Sequence, residues 1–288
     1  MQEGEDFSDR GGEDARRDRV AVGGEHVRFA RRTAGTDAGT VTHSSPATGD
    51  ASPDADATVL DNPAWHALTG PHAHFAIGND LVRKYPDDVA PFLAVRSWDD
   101  PAVWDALIDL VGPGGEVGFS GADPDLPPGW DVLWRGEGVQ LVETAALDPR
   151  PDDEAVELGT ADVDEMLAIV ERNQPGPFRP RTYELGRYVG IRREGRLVAM
   201  AGERLHPTGW TEISAVSTDP EFRRRGLASR LVLDVAFHIR ERGDRALMHA
   251  AATNVNAIAT YERLGFALRR TTTFAGVRTP VDSSVVRT

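Results

Sequence analysis

The stretch from Glu212 to Ala228, Glu-Ile-Ser-Ala-Val-Ser-Thr-Asp-Pro-Glu-Phe-Arg-Arg-Arg-Gly-Leu-Ala, joins an apolar strand pattern to an arginine-rich turn at the start of a helix. The first N–H groups of a helix lack intrahelical partners, and the helix dipole favours an anion beside them. Gly226 accepts unusual backbone angles, and together with Ala228 it leaves the approach to those amides open. The stretch therefore predicts a pyrophosphate site.

The residues expected to contact phosphate, by backbone or by charge, are Arg223, Arg224, Arg225, Gly226, Leu227 and Ala228. Taken alone, a short glycine motif is more often an ordinary helix start with a solvated basic face. The motif by itself does not decide between a phosphate site and an ordinary helix start.

A second pattern lies downstream: Asn254, an alanine three residues later, Tyr261 and then Gly265-Phe266. With both patterns in this order, the chain resembles the GCN5-related N-acetyltransferase (GNAT) superfamily, and more narrowly its FR47-like branch, which also occurs in glycine N-acyltransferase-like enzymes. The resemblance covers about residues 155–280. It implies an α+β fold, with a mixed, mostly antiparallel sheet flanked by helices.

The resemblance also implies roles for single residues. The backbone of Val216 and Thr218 is expected to pair with the pantetheine arm of acetyl-coenzyme A, and the Val216 amide to polarise the thioester carbonyl. Asn254 is expected to belong to the same cofactor site. Tyr261 is expected to protonate the departing thiolate. Glu212 lies eleven residues before Arg223, the offset at which histone-type GNAT enzymes place their general base.

The strand that carries Glu212 gives a second argument for its role as a base. A period of two puts Glu212, Ser214 and Val216 on one face. Apolar neighbours would raise the pKa of the Glu212 carboxyl toward neutrality, which suits a base for an ammonium group. A solvated carboxylate at a strand edge is the alternative. Glu203 on the preceding strand is a reserve base, and His249 is interpreted as a core histidine with satisfied hydrogen bonds.

Composition restricts the partners. The net charge is −14, which disfavours nucleic acid and anionic membrane surfaces, but residues 221–288 hold 12 arginines against six acidic residues. That basic segment suits a small polyanion such as coenzyme A. The absence of cysteine excludes disulfides and a cysteinyl acyl-enzyme. No metal is expected, since His72 and His74 lack a third ligand nearby and are interpreted as a surface turn.

The chain divides into three predicted parts. Residues 1–57 read as a disordered tail, or alternatively as the product of a misassigned start with translation beginning near Val59. Residues 58–150 are predicted to form an N-terminal α/β lobe, for which the resemblance to two-lobed relatives suggests a degenerate GNAT-like structure, and residues 151–288 the catalytic domain. With no apolar run of membrane-spanning length and an acidic N-terminus, we expect a cytoplasmic protein.

The function expected from the sequence is an N-acyltransferase that moves acetyl from acetyl-coenzyme A to a primary amine by direct attack in a ternary complex. A small-molecule amine or an amino acid is the favoured acceptor, and a protein acceptor remains open. The alternative from another class is a non-catalytic acyl-coenzyme A sensor. The acceptor, the acyl-chain preference and the oligomeric state are not readable from the sequence.

Overall fold

The computed structural model describes residues 57–121 and 124–281, so the expected disordered tail lies outside the described residues except for Ala57. The helices are α1 (Pro63–Thr69), α2 (Ala102–Val111), α3 (Val163–Asn173), α4 (Leu227–Glu241) and α5 (Val255–Leu264). The strands are β1 (Ile77–Gly78), β2 (Val82–Lys84), β3 (Leu93–Val95), β4 (Glu116–Ser120), β5 (Asp131–Glu143), β6 (Val156–Leu158), β7 (Tyr188–Arg193), β8 (Arg196–Glu203), β9 (Trp210–Thr218), β10 (Arg245–Ala251) and β11 (Phe266–Arg278).

The main sheet has eight strands in the order β4-β11-β5-β10-β9-β8-β7-β6. Neighbouring strands are antiparallel, except that β9 and β10 run parallel. Successive residues of β7 point to opposite faces: Tyr188 packs in the α3 cluster and Val189 in the α4 cluster. Helices therefore cover both faces of the sheet. The predicted fold class, a mixed and mostly antiparallel sheet flanked by helices, is confirmed.

The sheet continues across the boundary expected at residue 150. Strand β5 lies between β10 and β11, and β4 pairs with the outer side of β11. The other strands described before residue 150 form a small antiparallel sheet, β1-β2-β3, beside α1 and α2. The division into two lobes remains a prediction, but the main sheet is built from both of its parts.

The helix that follows the arginine turn forms for the reasons its sequence suggests. Leu227, Leu231, Val235 and Ile239 recur at helical spacing and are all buried against the sheet. Helix α4 begins directly after Gly226, whose φ of 77° is in the left-handed region that favours glycine.

The interpretation of His72 as part of a surface turn is wrong. His72 is buried; its Nε2 lies 3.1 Å from the Leu185 carbonyl and its Nδ1 lies 2.9 Å from the Tyr85 hydroxyl. A carbonyl only accepts, so Nε2 carries the proton and the Tyr85 hydroxyl donates to Nδ1. Burial lowers the pKa of His72 to about 3, so the ring is neutral at physiological pH. It ties the N-terminal segment to the loop before β7.

Two further observations apply to the described part of the chain. No helix there combines the length and apolar character needed to cross a bilayer. Nor do three or more acidic or histidine side chains converge there in a way that could hold a metal ion.

Candidate active site

The central feature of the site is a gap between β9 and β10. The two strands pair at only three positions, ending where Leu247 lies opposite Glu212. Beyond that point they diverge, and residues 213–216 of β9 and 248–251 of β10 line a cavity. Backbone groups that lose a strand partner need another one. The gap can therefore accept an extended ligand in the position of a missing strand.

The cavity has a volume of about 820 Å³. On one side it reaches α5 at Asn254, Ala257 and Tyr261. On the other side it is bounded by residues 90–93, by strand β4 and by the segment 174–177. A volume of this size, with apolar walls and a few polar groups, is typical of small-molecule sites.

A β-bulge interrupts β9 inside the gap. Ala215 has a φ of 54°, and the register with β8 shifts between Met200 and Gly202. As a result Ile213 and Val216, three residues apart, both pack against the cluster beneath α4. The prediction that Val216 shares a face with Glu212 is therefore wrong, because the period of two breaks at the bulge. The bulge turns this part of β9 toward the cavity.

The arginine turn lies on the surface, just outside the cavity lining, which includes Val216 but not Thr218. Arg224 and Gly226 both have positive φ, 62° and 77°. The first hydrogen bond of α4 runs from the Arg230 amide to the Gly226 carbonyl, so the amides of residues 227–229 have no partner within the helix. Such amides are available to an anion, and the pyrophosphate site stays a prediction.

The three arginines of this turn differ in their contacts. Arg223 donates to the Asn173 side chain (2.6 Å) and to the Thr218 carbonyl (3.3 Å), so that carbonyl already has a donor. Arg225 donates to the Glu221 carbonyl (3.2 Å) and lies 4.9 Å from the Phe222 ring centre. Among the described residues Arg224 has no ion pair or hydrogen bond from its exposed side chain, so it is the arginine most available to a phosphate.

Tyr261 and Asn254 line the cavity from α5. Burial raises the pKa of Tyr261 to about 12, so its phenol keeps its proton at neutral pH. The Asn254 side chain accepts a hydrogen bond from the Ala257 amide at 3.3 Å and caps α5. The Asn-x-x-Ala spacing of the second pattern thus has a structural cause, and Asn254 also borders the predicted cofactor site.

Glu212 is fully buried, and its side chain does not line the cavity. Its Oε2 accepts from Arg204 Nε at 2.9 Å, and its Oε1 lies 2.7 Å from His249 Nδ1. Burial alone would raise the pKa of this carboxyl, but Arg204 and His249 together hold it well below its ordinary range. The prediction of a raised pKa is therefore wrong, because the apolar surroundings include two basic partners.

Glu203, the reserve base of the sequence analysis, also accepts hydrogen bonds at both carboxylate oxygens. It is buried, with Oε1 accepting from Arg242 at 2.7 Å and Oε2 from the Arg187 amide at 3.2 Å. Like Glu212, it does not line the cavity.

Both partners of Glu212 do line the cavity. The Gln140 amide nitrogen lies 3.0 Å from His249 Nε2, while the Gln140 oxygen accepts from Arg269 at 2.8 Å. The Gln140 nitrogen therefore donates to Nε2, which leaves the ring proton on Nδ1, where it is donated to Glu212. His249 is hydrogen-bonded at both nitrogens, as the sequence suggests, and it also reaches the cavity.

Sequence reasoning missed Arg204, Gln140 and Arg269. For Arg204 a signal was present: it lies eight residues before Glu212, across the turn at Pro207-Thr-Gly, and a hairpin places such residues side by side. The guanidinium also lies 4.9 Å from the Phe92 ring centre. Gln140 and Arg269 come together only through the pairing of β5 with β10 and β11, which no local pattern predicts.

Comparison with known proteins agrees with this architecture. Residues 188–275 match the family described as FR47-like protein. A GNAT-family acetyltransferase structure from Novosphingobium aromaticivorans is 34% identical, with a TM-score of 0.70, over 76% of this chain and 97% of that one. The chain therefore belongs to the GNAT superfamily, in its FR47-like branch.

A more distant solved structure shares the fold, and two curated relatives match part of the sequence. A GCN5-related N-acetyltransferase from Kribbella flavida is 20% identical with a TM-score of 0.51, over 74% of this chain and 93% of that one. A mycothiol acetyltransferase from Thermobispora bispora is 29% identical over 153 residues, 50% of this chain and 48% of the relative. One from Thermomonospora curvata is 36% identical over 75 residues, 26% and 25% of the two lengths. The chain thus matches half or less of these curated relatives.

Proposed function

We propose that this protein is an acetyltransferase that moves acetyl from acetyl-coenzyme A to a primary amine in a ternary complex. The observation that carries the proposal is the gap between β9 and β10, which opens into one cavity and ends beside the anion-binding turn at Gly226. The pantetheine arm lies in the gap along Val216, and the pyrophosphate lies at the first turn of α4.

In the proposed reaction the amine nitrogen attacks the thioester carbonyl carbon. A C–N bond forms, the C–S bond breaks, and the electron pair of the broken bond leaves on sulfur. The Val216 amide stabilises the developing charge on the carbonyl oxygen, an effect worth roughly 3 kcal/mol for one well-placed donor. Tyr261, which its pKa of about 12 keeps protonated at neutral pH, gives its phenolic proton to the thiolate, and the second proton that the nitrogen releases as the amide forms restores the phenol.

The proton lost by the ammonium group needs an acceptor on the cavity wall. Glu212 is buried behind that wall, so we propose that it acts through His249, whose Nδ1–H it holds at 2.7 Å. His249 Nε2 takes the proton once the ammonium group replaces the Gln140 amide there. Glu212 is then a positioning residue that stabilises the imidazolium.

A pH profile of kcat/KM tests this assignment. With His249 as base, His249→Gln loses both the acid limb of the wild-type profile and most of the activity. An unchanged acid limb in His249→Gln would exclude His249 as the base. Gln174→Ala, on the same cavity but away from this network, is the control.

Calorimetric titration with acetyl-coenzyme A, followed by thiol release over a panel of amines, tests the function itself. Because the chain has no cysteine, a thiol-reactive dye reports only liberated coenzyme A. Turnover with any amine excludes the pure sensor, whereas binding without turnover across the panel supports the sensor. The names of the two curated relatives make an amine related to mycothiol one further acceptor, and its acetylation is followed by product mass, because a thiol on the acceptor would itself react with the dye.

A further inference from the structure

The far end of the cavity has an unusual floor. Strands β4, β11 and β5 present there one face on which four positions are glycine and two are large aromatic residues; we call it the aromatic floor, and its members are Gly118, Gly136, Gly138, Gly276, Phe274 and Trp134. The opposite face of these strands packs Val117, Ala275 and Val277 into the core beside α2. The core packing on the opposite face therefore holds the strands that form the aromatic floor in place.

The two rings lie flat on the sheet because glycine stands beneath each. A Cβ on Gly276 would come within 2.1 Å of Trp134 Nε1, and a Cβ on Gly138 within 2.2 Å of Phe274 Cε2. A Cβ on Gly136, between them, would meet no atom within 4 Å. Trp134 is 49% exposed although its ring has this support. An exposed, supported indole face is suited to stacking against another ring.

The Trp134 end of the floor lies well away from the gap. Ala251, at the outer end of β10, pairs with Gly138, and Trp134 lies four residues further along β5. At about 3.3 Å per residue, the indole is roughly 13 Å beyond the end of β10. A free amino acid with its amine at the gap cannot reach that far. The cavity of about 820 Å³ nevertheless runs continuously from the gap to Trp134.

The floor carries little net charge. On the same face, at the end beyond Gly276, Glu116 and Arg278 lie on paired positions and form an ion pair at 2.7 Å, and Asp131 of β5 lies opposite Arg278. The surface around Trp134 thus presents a ring face, glycine backbone and a neutralised ion pair, which fits an uncharged ring better than an anionic group.

We propose that the acceptor is an elongated primary amine, with its nitrogen at the gap and an uncharged planar ring at its far end stacked on Trp134. The proposal rests on the acetyl transfer proposed above and narrows its acceptor from small amines to long, ring-bearing ones. Phe274 supports the middle of the acceptor, above Gly138.

Bisubstrate adducts test the proposal without needing turnover. In each adduct the acetyl group of coenzyme A carries an amide-linked chain of zero to four glycines, ending in either phenylalanine amide or alanine amide. An extended residue adds about 3.3–3.6 Å, so the series brackets the distance to Trp134. Calorimetry gives a Kd for each adduct, and the ratio of alanine-ended to phenylalanine-ended Kd defines the ring advantage at each length.

We expect the ring advantage to be close to one for the shortest adduct and to rise to about two- to tenfold once the chain spans the cavity. Trp134→Ala should abolish it. Val132→Ala should keep it, since Val132 is equally exposed at 49% on the same strand but does not line the cavity. The wild-type length series remains decisive even if Trp134→Ala misfolds.

Three results would overturn the proposal: no ring advantage at any length, a ring advantage that survives Trp134→Ala, or an equal loss of affinity for acetyl-coenzyme A itself in that variant. The last would assign the floor to the cofactor. If neither acetyl-coenzyme A nor any adduct binds the folded protein, the proposed function fails, which is distinguishable from binding without a ring advantage.

Discussion

Replacing Glu212 with glutamine removes the charge that neutralises a buried arginine. The Arg204 side chain is 11% exposed and that of Glu212 is 0% exposed, and Arg204 Nε lies 2.9 Å from the carboxylate. Breaking a buried pair by removing one partner typically costs about 3–5 kcal/mol, because the remaining charge stays desolvated. The amide also weakens the acceptor for His249 Nδ1–H. We expect the free energy of unfolding of Glu212→Gln to fall by about 3–5 kcal/mol at pH 7.

Equilibrium unfolding in urea, followed by tryptophan fluorescence, measures this loss. The matched control is Glu221→Gln, which breaks a pair with Arg196 whose side chains are 74% and 51% exposed. The control should lose less than about 1 kcal/mol. An equal, small loss in both variants would refute the argument, because it would mean that Glu212 is solvated or that Arg204 is neutralised by another group.

The loss of stability in Glu212→Gln should depend on pH. The folded-state pKa of Glu212 lies below its ordinary value of 4.5, so the carboxylate contributes its full stability above that value. Its contribution is lost as the pH falls from there through the folded-state pKa. The difference in free energy of unfolding between wild type and Glu212→Gln should therefore shrink as the pH falls below about 4.5. A difference that grows below that pH would contradict the assigned direction.

Three further variants address the cofactor side. Gly226→Val forces a β-branched residue to a φ of 77° and should weaken acetyl-coenzyme A binding at least tenfold by calorimetry, whereas Gly195→Val, with the same strain at a φ of 80° in the turn between β7 and β8, should leave the affinity unchanged. Tyr261→Phe should lower kcat about a hundredfold with the acetyl-coenzyme A Kd within about twofold; an equal loss in both would reassign Tyr261 to binding. Asn254→Ala should cost about 1 kcal/mol in urea unfolding through loss of the α5 cap, and no change would remove that role.

The sequence predicted the elements whose causes are local. The arginine turn and α4 follow from one glycine and a helical apolar period. Parts of the second pattern are equally local: Asn254 caps α5, and Gly265 ends it with a φ of 108°. Such features depend on residues a few positions apart.

The parts that could not be predicted depend on pairings distant in the chain. Strand β5 enters between β10 and β11, and that placement gives the cavity its aromatic floor and brings Gln140 to His249. The pKa of Glu212 was misjudged because only one of its two basic partners is near in sequence. Apolar neighbours in sequence indicate desolvation, but the sign of the net shift is set by Arg204, which directly follows β8, and by His249 of β10.

The buried carboxylate links folding to the shape of the site. Glu212 lies at the point where β9 and β10 separate, and a charge can remain buried there only if Arg204 and His249 stay bound to it. Both of these side chains line the cavity. The interaction that makes the buried charge tolerable therefore also fixes two groups on the cavity wall. A substitution that weakens this network should lower stability and acceptor binding together, whereas the affinity for acetyl-coenzyme A should stay unchanged, because the proposed phosphate site at Gly226 uses backbone amides of α4.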